Sequence, residues 1–261
     1  MDLATLMRDT GFMAMCLISD LCANASSISG IFLLAWKFGG IGGLDKFEIL
    51  FMLAYCNVAL GFLDSMGGCN ALFVSRIIGR GQWEHMFIMP LPFGVQLTIG
   101  AFPFTSSSKL ISGIILMAVA LKNINAPLRW WWPFLMIGHL IISMAVMIGL
   151  SFLASSLAFY APVQCEEISM HVIYSTAYTA TFPLSGMPLY LRLPLLTIFP
   201  AGLTAWFPTL LILGKAPAVA NVYPLVFALA LALAAAGAFR KGFRYYMVKG
   251  INRYVSGGHR S

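Results

Sequence analysis

Long apolar runs, recurring from one end of the chain to the other, restrict what this sequence can fold into more than any single motif does. They lie near residues 12–36, 48–74, 105–121, 132–157, 191–213 and 219–239. Each is close to the roughly 20 residues a helix needs to cross the hydrocarbon core of a bilayer. Backbone N–H and C=O groups there must be satisfied within the segment, so such runs read as helices. Charged residues make up only 10% of the 261 positions, against about 25% in soluble domains. The chain therefore reads as one all-α integral membrane domain, residues 1–261, with about six transmembrane helices. Pro103 and Lys109 interrupt the third run, and residues 90–104 either cross, re-enter or lie along the membrane.

Topology follows from the basic residues, which accumulate on the cytoplasmic side. The last run ends at Arg240, and a basic tail, 240–261, carries Lys241, Arg244, Lys249, Arg253 and Arg260. Counting six spans back from a cytoplasmic tail puts the N-terminus inside as well. Arg8, Arg76, Arg80 and Arg192 then join the six tail residues inside, against Lys37, Lys46, Lys122, Arg129 and Lys215 outside. The excess of basic residues thus serves orientation in the lipid bilayer and gives no reason to expect a nucleic-acid partner.

Polar residues inside the runs are the candidates for function. Asp20 and Asn24 share a helical face in the first run, as do Asn57 and Asp64 in the second. A carboxylate within the membrane faces a cavity or a partner, so these four form a candidate translocation path. The alternative is helix packing, with Gly61 and Gly68 permitting close approach. Ala228, Ala232 and Ala236 form a small-residue stripe of the same kind. Five prolines between 183 and 208 predict kinks or breaks. Chemistry is sparse: no P-loop, no His-Glu-x-x-His, no Gly-x-Ser-x-Gly and no His/Cys set at metal-ligand spacing occurs. Glu166-Glu167 reads as a solvated pair. The chain is not expected to be an enzyme and carries no cofactor of its own.

One short polar and aromatic segment, about 76–91, interrupts the apolar pattern. Trp83, Met86, Phe87 and Pro90 recur at i, i+3, i+4 and i+7, one face of a short helix. Gln82, Glu84 and His85 fall on the other side, and Gly79 and Gly81 precede it. Such a helix either lies on the lipid surface or inserts its bulky face into a partner's groove.

Gly81 to Leu91 resembles the Gly-Glu-Leu-Asp-x-x-Leu-x-x-Pro-Leu signature of ABC-2 type permeases, in the branch of small six-span bacterial subunits. Phe182-Pro183, Phe199-Pro200-Ala201 and Phe207-Pro208 resemble that family's Tyr-Pro and Ile-Pro-Phe-Ala segments, and Phe239 to Lys249 resembles its C-terminal end. Gln82, Trp83 and Glu84 depart from the usual Glu, Leu and Asp. The resemblance implies an ABC-2, type V exporter-like permease in a bacterial inner membrane, both termini cytoplasmic. Its partners would be separate ABC ATPase subunits, which bind the ATP and magnesium, and a second permease subunit, identical or related. Arg80, Gly81, Gln82, Trp83, Glu84, His85, Phe87 and Pro90 would form the ATPase-coupling helix, with residues 163–188 a second contact. The substrate is not legible. The rival reading is a secondary transporter or channel that moves protons through Asp20 and Asp64.

Overall fold

The computed structural model describes residues 10–66, 73–86, 88–91, 96, 107–124 and 130–250. It is helical almost throughout. Helix α1 (Thr10–Phe38) leads into a two-stranded hairpin, β1 (Gly40–Ile41) and β2 (Leu44–Asp45), and α2 (Lys46–Met66) returns. Gly42 and Gly43 form the hairpin turn at φ 61° and 80°, the left-handed pair that a two-residue turn needs to match strand twist. Two short helices follow, α3 (Val74–Gly79) and α4 (Trp83–Met86), then α5 (Ser107–Asn123) and α6 (Trp132–Ser155). Helix α7 (Ile168–Ala180) precedes three short helices, α8 (Leu189–Arg192), α9 (Pro194–Thr197) and α10 (Trp206–Ile212). The long α11 (Val222–Lys249) ends the described chain.

Helix α2 is the centre of the bundle. Ile49 through Cys56 are all buried, because a helix that is apolar on every side must be surrounded on every side. Its closest neighbour is α5, antiparallel to it. A Cβ on Gly61 would sit 2.6 Å from the backbone nitrogen of Leu110, and one on Gly113 would sit 2.9 Å from that of Val58. Small residues bring the two backbones together, as in membrane helix pairs generally. Tyr55 and Ser143 share a hydrogen bond of 3.1 Å that ties α2 to α6.

Four helical stretches, Thr10–Phe38, Lys46–Ser65, Trp132–Phe159 and Val219–Lys249, are long and apolar enough to cross a membrane. Counting the bent pair Leu189–Thr197 and Ala201–Ile212 as one makes five. The all-helical membrane architecture expected from the sequence stands, although six crossings are not reached by this measure among the described residues.

The fifth expected span, 191–213, needs correction. It is two pieces bent by 74°, and both of its ends meet the same hairpin. Gly186 lies directly against Gly42, and Lys215 Nζ donates to the Gly43 carbonyl at 2.9 Å. A segment that starts and finishes at one face re-enters that face. The prolines explain it: Pro200, at φ −72° and ψ 45°, falls at the bend, where it has no N–H to continue the ladder. Helix α7 instead connects the two ends of the bundle. Ser169 at its start touches Ser75, Ala177 meets Cys56 midway along α2, and the chain reaches Gly42 by residue 186. Arg192 therefore sits at the hairpin end, opposite the tail, and only the first residues of 163–188 lie at the end carrying 73–91.

Candidate functional site

Local rules build the 73–91 segment. Helix α3 stops in a Schellman motif: Gln82 N–H donates to the Ile77 carbonyl and Gly81 N–H to the Ile78 carbonyl, both at 3.0 Å. Gly81 occupies the left-handed position at φ 67°, which a glycine tolerates and other residues resist. The turn redirects the chain so that Trp83 points inward. Helix α4 is described over four residues, Trp83–Met86. Gln96 Nε2 holds the following turn by donating to the carbonyls of Met86 and Leu91, at 3.0 and 2.6 Å.

The destination of Trp83 corrects the expectation that its face is offered to a partner. Its side chain is 1% exposed. The ring packs 5.6 Å from Phe159, 5.5 Å from Phe239 and 6.0 Å from Phe243. These tilted and edge-on pairs suit ring quadrupoles. Phe159 lies in the turn after α6, and Phe239 and Phe243 lie on α11, so the groove that receives Trp83 belongs to its own chain. Gly242 makes room, since a Cβ there would sit 2.6 Å from the Phe159 ring. Outside the socket, Gln82, Glu84, His85 and Pro90 are exposed, as are Ile88, Met89 and Leu91. Pro90 is thus not on the buried face, and Phe87 lies outside the described residues. Glu84 Oε1 accepts from the Tyr246 hydroxyl at 2.9 Å.

A second set of contacts fixes α3 to the start of α7. Arg76 Nε donates to Glu167 Oε1 at 2.7 Å, and its Nη2 reaches Oε2, a two-pronged pair. Arg80 Nε donates to Glu166 Oε1 at 2.6 Å. Ser75 Oγ donates to the Glu166 carbonyl at 2.8 Å. The Arg76 hydrogen bond holds the Glu167 carboxyl below the usual glutamate range, since it favours the ionised form. Glu166-Glu167 is therefore a docking pair and not a free solvated face. The signal in the sequence was a match of number and sign: two arginines one helical turn apart in one loop, and two glutamates in the next. Phe159, Phe239 and Phe243 carried no comparable signal.

The intramembrane residues fall into one cluster and one outlier. Lys109 Nζ on α5 donates to Asp64 Oδ2 at 2.7 Å, so the Asp64 carboxylate, on a residue 8% exposed, is neutralised within the bundle. Asp20 on α1 is near enough for its charge to act on Lys109, but it forms no salt bridge among the described residues. Asn24 is buried one turn farther along α1, and Asn57 lies two turns before Asp64 on α2. His139 Nε2 meets Asn221 Oδ1 at 2.9 Å and joins α6 to the segment leading into α11, a packing role. Among the described residues no group of three or more His, Cys, Asp or Glu could hold a metal ion.

Comparison with curated proteins and with solved structures gives no significant match. A family model described as ABC-2 family transporter protein matches residues 21–250. That stretch includes the Trp83 socket, the Arg76–Glu167 tie and the re-entrant segment. The chain belongs to the ABC-2 family of transporter proteins, membrane permeases of ABC transporters.

Proposed function

We propose that this permease is the membrane subunit of an ATP-driven exporter, works with a second permease subunit, and receives motion from separate ATPase chains through residues 73–91. The observation that carries the reading is the division of labour in that segment. Its bulky residue is locked into the permease itself, while Gln82, Glu84 and His85 remain exposed beside it. The exposed residues are the docking face, and Trp83 transmits displacement. In this scheme α7 carries the fifth crossing, and the re-entrant 189–212 segment lies on the outer side. With Arg192 moved, basic residues number nine inside (Arg8, Arg76, Arg80, Arg240, Lys241, Arg244, Lys249, Arg253, Arg260) and six outside (Lys37, Lys46, Lys122, Arg129, Arg192, Lys215). The bias still supports a cytoplasmic tail, and the setting we propose is a bacterial inner membrane. A proton-driven transporter loses support, because the Asp64 carboxylate is tied to Lys109.

The test is copurification of the tagged permease in mild detergent with ABC ATPases from the same cells. Gln82→Glu combined with His85→Glu alters only exposed side chains, and we expect it to weaken association at least tenfold. Wild-type association in that double variant would refute docking through this face.

A further inference from the structure

We propose that the outer face of α11 binds an anionic phospholipid, whose acyl chains lie along its membrane part and whose phosphate is held by Arg240, Lys241 and Arg244. One stripe of α11, stepping by three or four residues, runs Val222, Val226, Leu229, Leu233, Ala236, Arg240 and Arg244, and each of these residues is exposed. Leu233, in the middle of the stripe, is 76% exposed. From Val222 to Arg240 the helix rises about 27 Å, at about 1.5 Å per residue, close to the roughly 30 Å of a hydrocarbon core. The stripe therefore turns from apolar to cationic where acyl chain gives way to phosphate. Beside the cations, the exposed rings of Tyr160 and Tyr245 stack with centroids 4.8 Å apart, and tyrosine favours that depth in a bilayer.

Missing counter-charge decides what covers these cations. Arg240 and Arg244 are one turn apart with Lys241 beside them, a spacing at which like charges repel. Glu167 is the last acidic residue of the sequence, so neither α11 nor the tail after it supplies an anion. At this end of the bundle, Glu167 and Glu166 are engaged by Arg76 and Arg80, and Glu84 by the Tyr246 hydroxyl. Among the described residues, Arg240, Lys241 and Arg244 form no salt bridge. Their anion therefore comes from outside the chain, and position identifies its source. Gly242 and Tyr246, on the opposite side of the helix, face the Trp83 socket. The cations are thus turned away from the 73–91 segment and prolong the exposed apolar stripe. Arginine grips phosphate oxygens through paired N–H groups. Three neighbouring cations also select a headgroup of net negative charge, because the ammonium of a zwitterionic lipid would oppose them.

The experiment titrates the full chain in dodecylmaltoside micelles with dioleoylphosphatidylglycerol or dioleoylphosphatidylcholine, and native mass spectrometry reads the first lipid bound. A cation beside an anionic headgroup contributes about fivefold in affinity. Arg240→Gln, Lys241→Gln and Arg244→Gln together should therefore weaken phosphatidylglycerol binding about a hundredfold, and Arg244→Gln alone about fivefold. Arg244→Lys keeps the charge and should bind nearly as wild type. Lys37→Gln with Lys122→Gln removes exposed cations at the hairpin end and should change nothing. Glycerol 3-phosphate, a headgroup without chains, should not displace the lipid. Equal affinity for the two lipids, or an equal loss in the hairpin-end variant, would overturn the assignment. So would displacement by glycerol 3-phosphate, which would make this a site for free phosphate. Unchanged lipid binding with lost ATPase association in the triple variant would give the face to the ATPase instead. Lipid binding is read on the permease alone, so its failure leaves docking through residues 82–85 standing.

Discussion

Replacing Trp83 with alanine should release the 73–91 segment while the bundle stays folded. A buried tryptophan removes about 200 Å² from water, and at about 25 cal/mol per Å² this sets a ceiling near 5 kcal/mol. The methyl that remains and partial collapse of Phe159, Phe239 and Phe243 into the gap bring the cost to about 3–5 kcal/mol. The Arg76–Glu167 and Arg80–Glu166 ties lie on α3 and survive the change, so the loss is confined to α4 and the turn after it. Local opening of α4 should then become roughly 10² to 10⁴ times more frequent. Amide hydrogen exchange read by mass spectrometry on peptides covering 80–91 measures this directly. Glu84→Gln gives the scale for comparison. It weakens one exposed hydrogen bond with Tyr246, worth about 1 kcal/mol, so its exchange should rise less than about tenfold. If Trp83→Ala changed exchange no more than Glu84→Gln does, the aromatic socket would not be what holds the segment.

Three further outcomes follow from the geometry. Lys109→Met leaves two carboxylates facing each other and should cost about 3–5 kcal/mol of stability in detergent. Asp64→Asn should cost less, because Asp20 can still oppose Lys109; equal losses would show that Asp20 is not part of the cluster. A cysteine at Arg192 should react with an impermeant maleimide from the same side as one at Gly39, and from the side opposite a cysteine at Lys249; labelling from the Lys249 side would restore 191–213 as a crossing. Glu167 has a folded-state carboxyl below its unfolded value, so its stabilisation is complete above the usual glutamate range and fades as pH falls through the lower value. Exchange protection of 74–79 should therefore be flat from about pH 5 to 8 and decline only below about pH 4; a decline between pH 6 and 7 would mean another group governs the tie.

Periodicity and composition made the long helices legible, because apolar length is a property of a segment taken alone. The 73–91 segment also stood out, since Arg76, Arg80, Trp83 and Glu84 interrupt an apolar background. Its direction was not legible. Whether Trp83 meets a partner or its own chain depends on where Phe239 and Phe243 lie, more than 150 residues away, and no local pattern encodes that distance. The 191–213 segment misled for a related reason. Its hydropathy suits a crossing, but hydropathy does not register where Pro200 interrupts the ladder, and only the contacts of Gly186 and Lys215 show both ends at one face. Helix α7 was missed as a connector because 13 residues fall short of the span length that composition seeks. For Asp64 the packing reading and the path reading were indistinguishable until Lys109 appeared within hydrogen-bond reach.

The attachments of the 73–91 segment set how it can move. A peg held at one point swivels under load, and most of the work is lost as rotation. This one is gripped at Trp83 by the turn after α6 and by α11, and at Arg76 and Arg80 by the start of α7. Gripped by three separate elements, it has no axis left about which to turn. A push on its exposed face must translate all three elements together. Helix α1 is the least buried of the long helices, and sliding between it and those three elements is the motion the packing resists least.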